Sequence, residues 1–132
     1  MAGVQRGRQL VTSGRVAATG ALTTTSSFTD VPGATVTFTP AVAGFAIVNV
    51  TADISVSSGG LVSALLVVDG TPESQEIIGQ FPTATARGTF AQTYRVSLTA
   101  ASHTLKVQGK YVAVGGIIYS PHTTLTYTFI PS

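Results

Sequence analysis

Two histidines, His103 and His122, are the residues of this sequence best suited to acid–base chemistry. His103 shares its parity with Leu105 and Val107 in SHTLKV, which predicts that the ring points into the packing of a sheet or into a boundary between subunits. His122 follows Pro121 in a predicted loop. A hydrolase needs a nucleophile, a base and an orienting group, and no GxSxG motif surrounds any serine. We therefore expect no catalytic residues and interpret both histidines as structural or surface groups.

Three acidic residues, Asp69, Glu73 and Glu76, fall within eight positions of one another and are the best candidates for a cation site. Carboxylate oxygens bind hard cations, but the alternating Asp and Asn of a calcium loop are missing. The two histidines lack the close spacing of a zinc pair, and the chain has no cysteine. No phosphate-binding glycine motif is present. We expect a solvated loop and no cofactor, and the sequence leaves open a glycosidase-like pair of carboxylates from this set.

The charge content narrows the classes of partner. Only 9% of the 132 residues are Asp, Glu, Lys or Arg, and the net charge is +2, whereas globular domains average roughly a quarter charged residues. Seven scattered basic residues are a weak footprint for nucleic acid, which we do not expect as a partner. The most apolar stretches end after ten residues or fewer, whereas a membrane span needs roughly 20. We expect no membrane span and a single domain with a genuine core.

Apolar and polar residues alternate with a period of two, which indicates β-strands. From Phe45 to Val56 every even position is apolar, and the odd positions turn polar after Ile47. The same alternation recurs in TVTFT, HTLKVQ and TLTYTF, while LVSALLVV is apolar on both faces, as in a strand covered on both sides. Turn-forming residues, Asp69-Gly70 among them, separate these runs. No helical periodicity is present, so we predict an all-β fold, an eight-stranded two-sheet jelly-roll sandwich with an extended N-terminal arm.

The first twenty residues differ in pattern from the remainder. They contain three arginines, several glycines and only weak alternation. We predict two parts, an N-terminal arm at 1–20 and a jelly-roll domain at 21–132, with the arm either extended or added as an edge strand. The residues of the arm that we expect to contact a partner are Arg6, Arg8, Leu10, Val11 and Arg15.

A small sandwich with so few charges has to cover its apolar residues in some other way. The apolar residues of LVSALLVV and VAVGGIIY cannot all face inward, and large exposed apolar patches usually mark interfaces. We therefore expect a closed homo-oligomer, with a threonine-rich monomer as the alternative. The residues that we assign to the interface between copies are Leu65, Val67, Tyr94, His103, Leu105 and Tyr127.

Three segments, FTDVPGATVTF, LLVVDG and SLTAASHTLKVQ, resemble small phage virion proteins. Those proteins adopt trimeric jelly rolls similar to the folds of tumour necrosis factor and the complement globular head. The resemblance implies a non-enzymatic homotrimer that decorates and cements a capsid, bound to the major capsid protein at the virion surface. It assigns no catalytic residues. The alternative is a receptor-binding or structural module of a tail fibre or tail tip, using loops near Glu73, Arg87 and Tyr119.

Overall fold

The computed structural model describes residues 11–57, 59–81 and 86–132. These residues form eleven strands and no helix, and therefore no helix long and apolar enough to cross a membrane. The strands are β1 (Thr12–Ala17), β2 (Leu22–Thr23), β3 (Thr29–Phe38), β4 (Gly44–Val56), β5 (Leu61–Val68), β6 (Thr71–Pro72), β7 (Ile77–Gln80), β8 (Arg87–Leu98), β9 (His103–Val112), β10 (Gly116–Ile118) and β11 (Thr124–Pro131). Eight of them have four residues or more, close to the predicted number.

The strands make two antiparallel sheets that pack face to face. In the six-stranded sheet β4 pairs with β11, β8 and β10, while β1 adds to β11 and β2 adds to β10. In the five-stranded sheet β9 lies between β3 and β5, and both β6 and β7 pair with β5. The predicted all-β sandwich of two sheets is confirmed.

The core lies between the sheets and follows from the alternation in the sequence. Along β4 the even positions, from Ala46 to Val56, are buried, and the side chains between them point away from the core. Strand β11 contributes Leu125, Tyr127 and Phe129 from one sheet, and β9 contributes Leu105 and Val107 from the other. Because successive side chains of a strand point to opposite faces, one register fills the core with every second residue.

Strand β5 is buried on both faces, as the sequence predicts for LVSALLVV. It ends at Asp69-Gly70, where both residues have positive φ, 50° and 83°. Val68 and Thr71 pair directly on either side, so these two residues form a tight two-residue hairpin turn. Two consecutive positive φ values are what such a turn requires, and the predicted turn is confirmed.

The N-terminal segment joins the six-stranded sheet where the structure describes it. Strand β1 pairs with β11 along its whole length, from Thr12 opposite Phe129 to Ala17 opposite Thr124. Of the two forms expected for residues 1–20, the described part therefore takes the form of an edge strand. Arg6, Arg8 and Leu10 lie outside the described residues.

Candidate functional site

The centre of the six-stranded sheet presents a neutral, threonine-rich surface on the side opposite the core. Thr51 on β4 lies between Thr124 on β11 and Ala91 on β8, and Asn49 occupies the next outward position along β4. We define the threonine face by seven neutral outward residues of these three strands, Thr51 with its register partners and those on the side away from Asp53: Asn49, Thr51, Ala91, Thr93, Thr124, Thr126 and Thr128. All seven are exposed or half-buried, and none is ionised.

The side chains of the threonine face are short, so the face is flat and can pack closely against another protein surface. β-branched threonines have few accessible rotamers on a strand, so they lose little side-chain entropy when they are covered. Their methyl groups offer apolar surface, and their hydroxyls offer both donors and acceptors. Thr93 Oγ1 already donates to Asn49 Oδ1 at 2.6 Å, which orients that amide. The face can therefore be covered without burying an ionised group.

The outward side of the five-stranded sheet has a different character. Lys106 Nζ lies 3.0 Å from a carboxylate oxygen of Asp30, and the Gln108 amide donates to the same carboxylate at 2.7 Å. Lys110 Nζ lies 4.8 Å from the centre of the Phe28 ring. Exposed charged networks of this kind suit a face that stays in water. The contrast identifies the threonine face as the better candidate for contact with another protein surface.

An ion pair marks one end of the threonine face. Arg87 Nε and Nη2 donate to the two carboxylate oxygens of Asp53, at 2.9 and 2.7 Å. The guanidinium lies 3.7 Å from the centre of the Tyr119 ring, and the Tyr119 hydroxyl is 2.9 Å from Ser55 Oγ. The hydrogen bonds from Arg87 hold the pKa of Asp53 below its ordinary value of 3.8. Asp53 therefore stays ionised, and the Arg87 guanidinium beside the face neutralises its charge.

Two more arginines lie at the margins of the face. Arg95 lies over the Phe45 ring, 4.1 Å from its centre, at the other end of β4 and β8. Arg15 on β1 lies beside Thr126 of the face and is exposed. Charged groups thus lie at the periphery and neutral groups at the centre. This distribution matches protein interfaces, whose buried centres are depleted in charge.

His103 lies at one end of the sandwich and is 9% exposed, so the predicted inward orientation is confirmed. Its Nδ1 is 2.6 Å from Asp69 Oδ2, and its Nε2 is 3.0 Å from the Thr99 carbonyl oxygen. Protein groups therefore engage both ring nitrogens of His103. Asp69 Oδ1 also accepts the Thr104 amide at 2.8 Å.

The six residues assigned from the sequence to an interface are already buried inside one protomer: Leu65, Val67, Tyr94, His103, Leu105 and Tyr127, between 0 and 9% exposed. Tyr94 donates to the Gln75 carbonyl at 2.8 Å, and Tyr127 stacks on Phe38 at 4.3 Å. This burial corrects the assignment, because residues that fill the interior of the protomer expose almost no surface to a second copy.

In an alternating strand the apolar residues are those that the facing sheet covers, so selecting apolar residues selects the core. Leu65 and Val67 lie on the outward side of β5, beside Gln108 and Lys106, and they are buried as well. Long polar side chains can cover apolar neighbours with their methylene stems. The threonine face is found from the other set of alternate positions along β4, β8 and β11, the ones that point away from the core.

The remaining predicted residues fall in several places. Val11 is 60% exposed, the largest value among the large hydrophobic residues that the structure describes. The structure brings Arg87 and Tyr119 together, as the tail-fibre alternative expects, but not Glu73. The amide of Glu73 donates to the Leu66 carbonyl at 2.9 Å, in the connection between β6 and β7 of the other sheet.

Known structures share this fold. No protein-family model matches the sequence, and no curated protein matches it. Eiger, a TNF from S. frugiperda, superimposes with a TM-score of 0.62 at 12% identity, over 94% of this chain and 95% of that chain. Murine APRIL superimposes with a TM-score of 0.62 at 12% identity, over 92% of this chain and 100% of that chain. Identity this low establishes the fold alone. The chain therefore has a TNF-like jelly-roll fold, which confirms that part of the predicted resemblance.

Proposed function

We propose that this chain is a non-enzymatic structural protein that forms a homotrimer through the threonine face and decorates a phage capsid. The observation that carries the proposal is the neutral centre of that face, with Arg15, Arg87 and Arg95 at its margins. A surface permanently in water normally carries charged residues of both signs. In a homo-oligomer other copies of the protein would cover this face, which accounts for the scarcity of charged residues at its centre.

The sequence resemblance, the fold and the rigidity of the threonine face support the trimeric form. The sequence segments that resemble phage virion proteins lie on trimeric jelly rolls in those proteins, and the chain has the TNF-like jelly-roll fold. The face is also built on the long central strands of a sheet, which hold its side chains in a rigid array. Closed cyclic assemblies bury such a surface completely and leave no open end for further growth.

Decoration would work through many weak contacts made at once. Each trimer would present three copies of the segment preceding β1, with Arg6 and Arg8, to the major capsid protein at the virion surface. The second and third contacts form at a high effective concentration after the first. Addition of an extended segment to an exposed sheet edge is one way for such a segment to bind. The trimer would thereby cement neighbouring capsid subunits.

Sedimentation equilibrium of the full chain tests the assembly. We expect one species with three times the protomer mass of 13.5 kDa. A stable species of protomer mass would contradict the assembly. Capsid binding is tested by pelleting the trimer with phage heads and counting copies by quantitative mass spectrometry. We expect a copy number comparable to that of the major capsid protein, and loss of binding without loss of the trimer when residues 2–10 are removed.

A second candidate function is a receptor-binding module at a tail fibre or tail tip. The Arg87 guanidinium supports it, because Asp53 and Tyr119 orient it and 47% of its side chain is exposed. Such a group can donate to an anionic or hydroxylated ligand. A glycan array with the full chain and with Arg87→Gln tests this function. Ligand binding that depends on Arg87, together with only a few copies per particle, would favour the tail over the capsid.

A further inference from the structure

The imidazole of His103 is held between acceptors that belong to two different turns. Nδ1 lies 2.6 Å from Asp69 Oδ2, in the turn between β5 and β6. Nε2 lies 3.0 Å from the Thr99 carbonyl oxygen, at the start of the turn between β8 and β9. A carboxylate and a carbonyl can only accept hydrogen bonds. Both contacts are therefore hydrogen bonds only when both ring nitrogens carry a proton.

The acceptors are fixed in place by further contacts. Asp69 Oδ1 accepts the Thr104 amide at 2.8 Å, and the Asp69 amide donates to the Thr104 carbonyl at 2.9 Å. The Asp69 backbone is held at positive φ by the hairpin turn. The carboxylate therefore cannot turn away from the ring without breaking the contacts between this turn and β9.

Thr99 also places its side-chain hydroxyl close to the His103 ring. Its hydroxyl oxygen lies 3.3 Å from His103 Nε2, next to the carbonyl at 3.0 Å. A protonated Nε2 donates to the carbonyl, whereas a neutral Nε2 presents a lone pair that repels the carbonyl and accepts from the hydroxyl. The same residue thus supplies a partner for each state of the ring.

We propose that His103 is a proton-dependent latch that joins the β5–β6 turn to the β8–β9 turn. The latch is closed when the ring is an imidazolium bound to both Asp69 and the Thr99 carbonyl. Loss of the Nε2 proton breaks the carbonyl contact and transfers Nε2 to the Thr99 hydroxyl, so the ring no longer holds the backbone of the 99–102 turn. Asp69 keeps its contact with Nδ1 in both states.

The charges around the ring support this assignment. Asp69 is the ionised group that faces His103 among the described residues. The partner of His103 on β3 is Phe38, and the turn from Thr99 to Ser102 contains no charged residue. Lys106 on the same strand points to the opposite face of the sheet. The hydrogen bond to Asp69 raises the pKa of His103 above its ordinary value of 6.5.

The sign of the pH effect follows from that direction. A group whose pKa is raised in the folded state stabilises the fold fully below its unfolded pKa, here 6.5. This stabilisation is lost as the pH rises through the higher folded value. The latch is therefore closed below pH 6.5 and opens as the pH rises through the higher folded pKa of His103.

An NMR titration of the full chain tests the latch, with the ring protons of both histidines followed from about pH 5 to about pH 9. We expect the His103 midpoint above 6.5 and a change in the amide shifts of residues 99–102 with the same midpoint. His122→Gln is the matched control and should leave the midpoint and the amide changes intact. A His103 midpoint at or below the ordinary value, or amides that do not follow it, would overturn the proposal.

Two conservative variants test the partners of the ring without replacing His103. Asp69→Asn retains an oxygen for Nδ1 but removes the charge, so it should shift the His103 midpoint downward. Thr99→Val removes the hydroxyl and keeps the carbonyl, so it disfavours the neutral ring and should shift the midpoint upward. Shifts in opposite directions support the latch. An unchanged midpoint in both variants would contradict it.

Discussion

Asp53 and Arg87 are joined by two parallel hydrogen bonds across adjacent strands, and the two partners differ sharply in exposure. The carboxylate on β4 is 6% exposed at its side chain, and the guanidinium on β8 is 47% exposed. Asp53 is therefore a buried charge whose neutralisation depends on a residue at the surface. Tyr119 below the guanidinium limits the orientations of Arg87 and keeps it available to the carboxylate.

Removal of the Asp53 charge should destabilise the fold. Asp53→Asn loses a charge-assisted bidentate pair, and we expect the free energy of unfolding to fall by about 1–3 kcal/mol. Asp30→Asn is the matched control, because the Asp30 side chain is 58% exposed in its pair with Lys106, and its change should stay within about 1 kcal/mol. Urea denaturation at neutral pH measures both. Equal losses of unfolding free energy in the two variants would contradict the prediction that the buried Asp53 pair contributes more than the exposed Asp30 pair.

The folded protein should lose stability in acid. Hydrogen bonds from Gln108, Arg87 and His103 lower the pKa values of Asp30, Asp53 and Asp69, respectively, below 3.8. A carboxyl whose pKa is lowered stabilises the fold above its unfolded pKa, and this stabilisation is lost as the pH falls through the folded value. We expect unfolding free energies from urea titrations to decrease below about pH 4. Asp53→Asn should show a shallower decrease than the unmodified chain, and an identical slope would contradict the prediction.

Leu105 should behave as a core residue and not as an interface residue. It is fully buried in the protomer, and Leu105→Ala should lower the free energy of unfolding by about 2–5 kcal/mol. Its sedimentation mass in native buffer should equal that of the unmodified chain. Leu61→Ala, at a half-buried position on the neighbouring β5, is the matched control and should cost less. A changed sedimentation mass without a loss of stability would indicate that Leu105 lies in the interface between copies.

Gly109 allows β9 to approach β10 of the opposite sheet. A Cβ atom added there would collide with Ile118 Cδ1. Gly109→Ala should therefore cost about 1–3 kcal/mol, and Ile118→Val, which removes the colliding methyl group, should cost about 0.5–1.5 kcal/mol alone. The double variant should be more stable than the sum of the two losses implies, because the mutations share one contact. Additive losses in thermal unfolding would refute this explanation.

A charge at the centre of the threonine face should prevent self-association. Thr51 lies between Thr124 and Ala91, with no ionised register neighbour, so Thr51→Arg should leave the protomer folded and convert the proposed trimer to protomers. Thr37→Arg places the same change on β3 of the other sheet and should leave the mass unchanged. Sedimentation velocity with circular dichroism distinguishes the outcomes. A Thr51→Arg variant that remains trimeric would indicate that the copies contact one another through a different surface.

Local pattern was enough to predict β4, β5, β9, β11, the second half of β3 and the Asp69-Gly70 turn, but not the short strands β2, β6 and β10. Alternation over 45–56 is a property of neighbouring residues, and so is the tolerance of Asp and Gly for positive φ. The contact between His103 and Asp69 could not be predicted, because 34 residues separate them and only the pairing of β5 with β9 brings their turns together. The pairing of Arg87 with Asp53 depends on the register of β8 against β4 in the same way.

By itself the sequence determined an all-β chain with a core made of every second residue, because strand formation depends on side-chain types that lie next to each other in the chain. The tertiary structure alone decided that the threonines of β4, β8 and β11 share one neutral face and that Tyr94, Leu105 and Tyr127 belong to the interior. The physical reason is that strand order and register join residues far apart in sequence. Only that pairing determines which of the two faces of a strand another sheet covers.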